Sequence, residues 1–347
     1  MPPSGNHEMA AVAGAGAHLA PHVAQNFWGD TPATEEEYYA SQGVNAKKSF
    51  FTSPRGVALF IRTWMPTPGT PGPRGVVFMI HGYGNDISWT FQHNPIFLAR
   101  AGFACFALDL PGHGRSSGLR AFVPDLRAVV DDILAFVRSS LAAHPSLRGL
   151  PRFLYGESMG GALCLLLHLR LKEAAADADQ IDWSGAVLVA PMCKIADEIR
   201  PPWPIPQILT LIARFLPALP IVPTADLVDK SVKEEKKRII AMANPLRYRG
   251  KPRLGTVLEL LRATEELGQR LSEVSLPFLV LHGSGDVVTD PAVSRELYSA
   301  ASSEDKSIKI YEGMWHSLQF GEPDENVNLF RRDVVHWLNQ RCGGLTD

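Results

Sequence analysis

The sequence predicts an α/β fold: a mostly parallel, doubly wound sheet with an N-terminal antiparallel hairpin and a helical insertion. Three observations predict it. The runs Gly75–Ile80, Phe103–Leu108, Phe153–Tyr155, Ala186–Ala190 and Phe278–Leu281 are continuously apolar, as strands are when helices cover both faces. Segments of helical period lie between most of them, and such alternation favours parallel pairing. From Met192 to about Leu254 the rhythm stops, and no strand pattern replaces it.

Residues 1–32 carry Pro, Gly, Ala and His without periodicity, which predicts a disordered tail. From Glu35 to Gly43 a short acidic and aromatic segment follows. Lys47–Thr52 and Val57–Met65 then read as strands, and the Ser53-Pro54-Arg55-Gly56 spacer has the chemistry of a hairpin turn. Pro66–Pro73 is a Pro/Gly connector. Helical patterns occupy Leu126–Ala142, Gly160–Ala175 and Ala292–Ala300, Ile308–Tyr311 is a further strand, and Leu329–Gln340 is a closing amphipathic helix. The interruption contains prolines at 201, 202, 204, 206, 217, 220 and 223, the apolar piece Ile208–Leu216 and the charged run Lys233–Arg238. An insertion this long between strands reads as a lid or cap. The division expected is therefore a tail (1–32), a core (33–191), a cap (192–254) and the rest of the core (255–347).

Composition removes several classes. With 34 basic and 36 acidic residues the formal charge is −2, which gives no footprint for tracking a nucleic-acid backbone. The cysteines at 105, 164, 193 and 342 form no CxxC pair and no His/Cys metal spacing, so neither a disulfide framework nor a metal site is expected. No apolar run reaches the ~18 residues of a spanning helix. No Lys or Arg precedes Lys47, so the N-terminus lacks the charge of a secretory or transit segment. A cytoplasmic protein is the expectation.

The chemistry concentrates in Gly156-Glu157-Ser158-Met159-Gly160, between an apolar strand and an apolar helix. In that context G-x-S-x-G is a nucleophile elbow, a tight turn that lifts the serine hydroxyl clear of the sheet. The adjoining helix N-terminus adds partial positive charge and free N–H groups. Serine needs a base, and the base an orienting acid, here in the order Ser, acid, His. Phe278–Leu281 runs into His282-Gly283-Ser284-Gly285-Asp286, and Ile308–Tyr311 into Glu312-Gly313-Met314-Trp315-His316. Asp286 and His316 thus leave consecutive strands. Asp290 is the rival acid, but Pro291 after it suits a helix start. Of eleven histidines, only His316 has the required order and loop position; His282 and His113 read as structural. The His81-Gly82-Tyr83-Gly84 loop supplies the second oxyanion donor, so the Tyr83 and Met159 N–H groups are the expected pair. His81 and Asp86 form an H-x4-D spacing quoted for acyltransferases, though His81 sits in a structural turn. Asp109–Ser116 reads as a loop tied by its own side chains.

These motifs carry a resemblance. HGYGNDISW (81–89), DLPGHGRSSG (109–118), GESMGGA (156–162), GSGDVVTDP (283–291), KIYEGMWHSL (309–318) and NPLRYRGKPRLGT (244–256) closely resemble the plant monoacylglycerol lipase family. That lysophospholipase-like family of α/β hydrolases includes caffeoyl shikimate esterase. The likeness runs from about Phe27 to the last helix. It implies an α/β-hydrolase fold, a Ser158–Asp286–His316 triad, and oxyanion donors at Tyr83 and Met159. Animal members place Glu and Arg after the His-Gly turn where this chain has Asn85 and Trp89, so the head-group contacts there differ.

The expected activity is hydrolysis of an acyl ester through a Ser158 acyl-enzyme, without metal or cofactor. A monoacylglycerol or lysophospholipid leads, and a hydroxycinnamoyl ester or acyl transfer by the same triad is the alternative. Asn85 and Trp89 are candidate substrate contacts. Leu211 and Phe215, on the apolar face of the cap helix, are candidates to line an acyl tunnel and to touch lipid without spanning the bilayer.

Overall fold

The structure, a computed structural model, describes residues 26–29, 31–32, 34–67, 69, 71–174, 181–193, 205–222 and 226–343. The sequence-predicted tail up to residue 25 lies outside the described residues. The strands are β1 (Val44–Thr52), β2 (Ala58–Pro66), β3 (Gly75–Ile80), β4 (Phe103–Leu108), β5 (Arg152–Glu157), β6 (Gly185–Val189), β7 (Phe278–Gly283) and β8 (Lys306–Tyr311). They form one sheet in the order β1-β2-β4-β3-β5-β6-β7-β8. The hairpin β1–β2 and the β2–β4 pair are antiparallel, and all other pairs are parallel.

The unbroken apolar runs have a direct structural cause. Every residue of β3, β4, β6 and β7 is buried, because period-2 side chains meet a helical layer on each face. Val76, Phe78 and Ile80 enter one core, while Val77 and Met79 enter the other. Only β1, at the sheet edge, is mostly exposed. Each fully buried Phe or Leu contributes roughly 1.5–3 kcal/mol of transfer free energy.

The helices are α1 (Glu35–Ser41), α2 (His93–Arg100), α3 (Leu126–Ala143), α4 (Met159–Glu173), α5 (Ile205–Phe215), α6 (Leu227–Ser231), α7 (Glu235–Met242), α8 (Leu254–Gln269), α9 (Pro291–Ala300) and α10 (Asp324–Asn339). Helix α4 is buried without interruption from Met159 to Leu169, as a helix enclosed on all sides must be apolar all round. Helices α2 and α8 were not expected. The first is short and contains Pro95; the second buries polar residues. Thr256 accepts the Val123 N–H (2.9 Å) and Glu259 accepts the Leu126 N–H (2.8 Å), so its inward face is not uniformly apolar.

Two differences from the sequence reading concern boundaries. Phe27 and Trp28, assigned to the tail, are packed: Phe27 is buried and Trp28 stacks on Tyr38 at 4.1 Å. Two aromatic residues in a Pro/Ala/Gly background leave no periodicity to read. The segment 226–242 of the insertion is docked on the loop after β8. Ser317 N–H donates to Ser231 O (3.0 Å), Glu234 N–H to Gly321 O (2.8 Å), and Val232, Ala241 and Phe320 form a small core. All four cysteines are free. Among the described residues no helix is long and apolar enough to cross a membrane.

Candidate active site

Ser158 stands between β5 and α4 with φ 51° and ψ −116°, a conformation that costs a non-glycine residue about 1–3 kcal/mol. The turn is clamped: Ser158 N–H donates to Val189 O (2.9 Å), and Ser158 O accepts the N–H groups of Gly161 (2.9 Å) and Met192 (3.0 Å). The glycines are steric requirements. A Cβ on Gly160 would lie 2.2 Å from Ile80 O, and one on Gly156 2.4 Å from Gly160 O. No carbon fits at either distance.

β7 and β8 are neighbours, and their carboxyl ends bring Asp286 and His316 together. Asp286 Oδ2 lies 2.6 Å from His316 Nδ1, while its Oδ1 accepts the Val288 (2.7 Å) and Thr289 (3.0 Å) N–H groups. Oδ2 also accepts the Thr289 hydroxyl (2.9 Å) and lies 3.1 Å from His282 Nε2. Burial opposes the charge, but the hydrogen bonds and charges of His282 and His316 outweigh it and hold the carboxyl well below its ordinary range. His316 and Ser158 line the same cavity.

The rivals are placed elsewhere. Asp290 caps α9, accepting the Ala292 N–H (2.8 Å) ahead of Pro291. His282 is buried, with Nδ1 2.7 Å from Ser294 Oγ; it touches the acid without facing the cavity. Both ring nitrogens of His81 are engaged: Nδ1 with Gly82 O (2.7 Å), and Nε2 as acceptor from Leu110 N–H (3.0 Å). Burial pushes its pKa down to about 3. Asp86 instead accepts the Ser88 N–H and the Asn244 amide (2.8 and 2.7 Å), so the H-x4-D spacing is not a catalytic pair. Asp109 accepts the Ile87 and Arg115 N–H groups, both at 2.7 Å, which ties its loop with its own side chain. His113 is likewise buried, its Nδ1 3.0 Å from Pro111 O.

Tyr83 lines the cavity, and among the described residues no protein acceptor takes its N–H or that of Met159. Asn85 is also part of the wall. Three other expected contacts are not. Trp89 is buried, its indole N–H donating to Ile240 O (2.7 Å); it anchors the cap to the core. Leu211 and Phe215 are 62% and 75% exposed and form no part of the cavity wall. Helical periodicity identifies an apolar face but not what it faces.

Several residues in or beside the site escaped the sequence reading. Glu157, beside the nucleophile, is buried and accepts from Asn94 Nδ2 (3.2 Å). Burial, opposed by hydrogen bonds from Asn94, Tyr155 and Gln319, pushes its pKa up to about 8. Thr289 Oγ1 lies within 3.1 Å of His316 Nδ1. Glu322, fully buried, accepts the Trp315 N–H (2.6 Å) and so steadies the histidine loop. Val228, Val232, Asn244 and Arg247 close the cavity from the cap side. The NPLRYRG motif was the only signal for the last two. Among the described residues no group of three or more His, Cys, Asp or Glu could hold a metal ion.

The model of a family described as serine aminopeptidase, S33, matches residues 71–324. A caffeoylshikimate esterase of Arabidopsis thaliana is 40% identical over 321 residues, covering 92% of this chain and 93% of that one. A human monoglyceride lipase is 33% identical over 290 residues, 82% of this chain and 88% of the relative. Among solved structures, a soluble variant of Saccharomyces cerevisiae monoglyceride lipase with a substrate analog superposes with a TM-score of 0.71. It is 24% identical and covers 85% of this chain and 94% of that one; this likeness shows the α/β-hydrolase fold. The chain therefore belongs to the monoacylglycerol lipase and caffeoylshikimate esterase family of α/β hydrolases, and it is a carboxylic ester hydrolase.

Proposed function

We propose that the chain hydrolyses monoacyl esters of small hydroxyl-rich alcohols, monoacylglycerol or lysophospholipid, through an acyl-enzyme on Ser158. The observation that carries the reading is the short Asp286–His316 contact opening on the same cavity as a serine in a strained elbow. With Nδ1–H held by Asp286, the Nε2 lone pair of His316 takes the Ser158 proton as Oγ attacks the carbonyl carbon. The N–H groups of Tyr83 and Met159, which have no protein acceptor, receive the oxyanion. Collapse expels the alcohol with the proton from His316. Water then attacks the acyl-enzyme with the same base and releases the acid. Val189, Val288, Val228 and Phe320 form an apolar wall suited to the acyl group.

A second reading, hydroxycinnamoyl ester hydrolysis, is favoured by the Arabidopsis relative's 40% identity and by the absence of Leu211 and Phe215 from the wall. A turnover comparison of monoacylglycerol, lysophosphatidylcholine and caffeoyl shikimate, with Ser158→Ala as control, tests both. Fastest turnover of the lipid esters supports the first reading, and fastest turnover of the caffeoyl ester moves the assignment to the second. No turnover of any of the three overturns both.

A further inference from the structure

The Ser158 cavity continues outward into a second one. Tyr83, Gly84, Leu227, Val228 and Arg247 line both, so the second cavity is an extension of the first past the loop that carries the expected oxyanion donor. Its remaining wall is Asp226 and residues 248–252, among them Tyr248, Arg249 and Lys251.

The charge of this extension is one-sided. Three cations, Arg247, Arg249 and Lys251, line it against one carboxylate, Asp226. Asp226 is already bound by Arg247 through both oxygens, at 2.8 and 3.0 Å. Among the described residues Arg249 donates to a carbonyl, Met242 O (3.1 Å), and neither it nor Lys251 pairs with a carboxylate. Arg247 has a buried Nε with no hydrogen-bond partner. A fourth cation, Arg253, lies over the Tyr248 ring at 5.8 Å and is likewise held by carbonyls. In the inner cavity Glu157 is the acidic residue of the wall among the described residues, and burial pushes its pKa up to about 8. The chain as a whole carries −2, so this positive site is not a sample of a basic surface.

We infer that the outer cavity is a subsite for an anionic group, carboxylate or phosphate, on the substrate ester. Uncompensated cations beside a cavity gain most from a ligand charge that replaces the missing counter-ion. The inference rests on the ester-hydrolase reading and narrows it to esters whose alcohol part is charged.

The test uses the full chain and matched ester pairs: 1-oleoylglycerol 3-phosphate against 1-oleoylglycerol, and caffeoyl shikimate against its methyl ester. p-Nitrophenyl butyrate reports the basal esterase. The variant is R249Q/K251Q, both side chains exposed and outside the proposed catalytic groups. The expected result is a kcat/KM for the charged member of one pair that drops roughly tenfold in the variant, through KM. The neutral member and p-nitrophenyl butyrate should be unchanged, and raising salt from ~20 to ~300 mM should reproduce the drop in the wild type. Loss in the phosphate pair alone or the carboxylate pair alone identifies the anion. Equal loss in charged and neutral members, or none in either, overturns the subsite while p-nitrophenyl butyrate turnover leaves the esterase standing. No turnover of p-nitrophenyl butyrate overturns the esterase reading and the subsite with it.

Discussion

Asp286→Asn should abolish almost all turnover while leaving the fold intact, and the hydrogen-bond pattern says why. In the native carboxylate Oδ1 takes two backbone N–H groups, from Val288 and Thr289, while Oδ2 faces His316 Nδ1. An asparagine must keep its carbonyl oxygen on the two fixed donors, so its NH2 turns toward the imidazole. That NH2 donates, and His316 can accept it only with Nδ1 unprotonated, which places the proton on Nε2. Nε2 then cannot take the Ser158 proton. Trapping a catalytic histidine in the wrong tautomer costs about 10⁴-fold in kcat, or roughly 5–6 kcal/mol of transition-state stabilisation. Asp290→Asn is the internal control. It changes the cap of α9, where Asn and Asp are nearly equivalent, so stability should move by only a few tenths of a kcal/mol. The assay is steady-state hydrolysis of p-nitrophenyl butyrate, with thermal melts to confirm folding. A folded Asp286→Asn retaining more than about one hundredth of the wild-type kcat would refute the orienting role. A larger loss in Asp290→Asn would reverse the assignment.

Ser158→Ala should remove fluorophosphonate labelling and lower kcat by roughly 10⁴-fold or more; mass-spectrometric mapping of the label to another serine would contradict the elbow assignment. Glu157, raised from 4.5 to about 8 by burial, binds a proton in the folded state that the unfolded chain has released. Its contribution is therefore complete below about pH 4.5 and is lost as pH rises toward 8, at up to about 1.4 kcal/mol per unit. Glu157→Gln should flatten that decline in denaturant titrations between pH 5 and 9, and an unchanged pH dependence would count against burial as the cause. Gly160→Ala should fail to yield folded protein, since its Cβ would lie 2.2 Å from Ile80 O; a soluble variant with wild-type melting would show that the turn can relax. Phe215→Asp, at an exposed position, should leave stability and p-nitrophenyl butyrate turnover unchanged. It should slow hydrolysis of emulsified long-chain ester where the cap meets lipid, and wild-type rates on both substrates would remove the lipid contact expected from the sequence.

The order and type of most elements were legible in the sequence because they depend on local patterns. Doubly covered strands must be apolar throughout, and a serine between strand and helix needs small neighbours whatever else surrounds it. The strand ends at Asp286 and His316 could be ordered for the same reason: consecutive βα units place consecutive carboxyl ends side by side. What tertiary structure alone decided was direction and partnership. The apolar face of α5 reads the same whether it lines a tunnel or meets solvent, and only the packed chain turns Leu211 and Phe215 outward. Trp89 stands next to the oxyanion loop in sequence, yet its indole serves Ile240 across 151 residues. Helix α8 disguised its inward face with Thr256 and Glu259, whose partners lie 133 residues away. Arg249 and Lys251 are ordinary basic residues in the sequence. They become an uncompensated charge in the cavity that adjoins the Ser158 cavity only because the end of the cap folds back over the Tyr83 loop. Patterns of spacing record which face a residue shares; which group fills that face is set by contacts between distant segments, and spacing does not encode them.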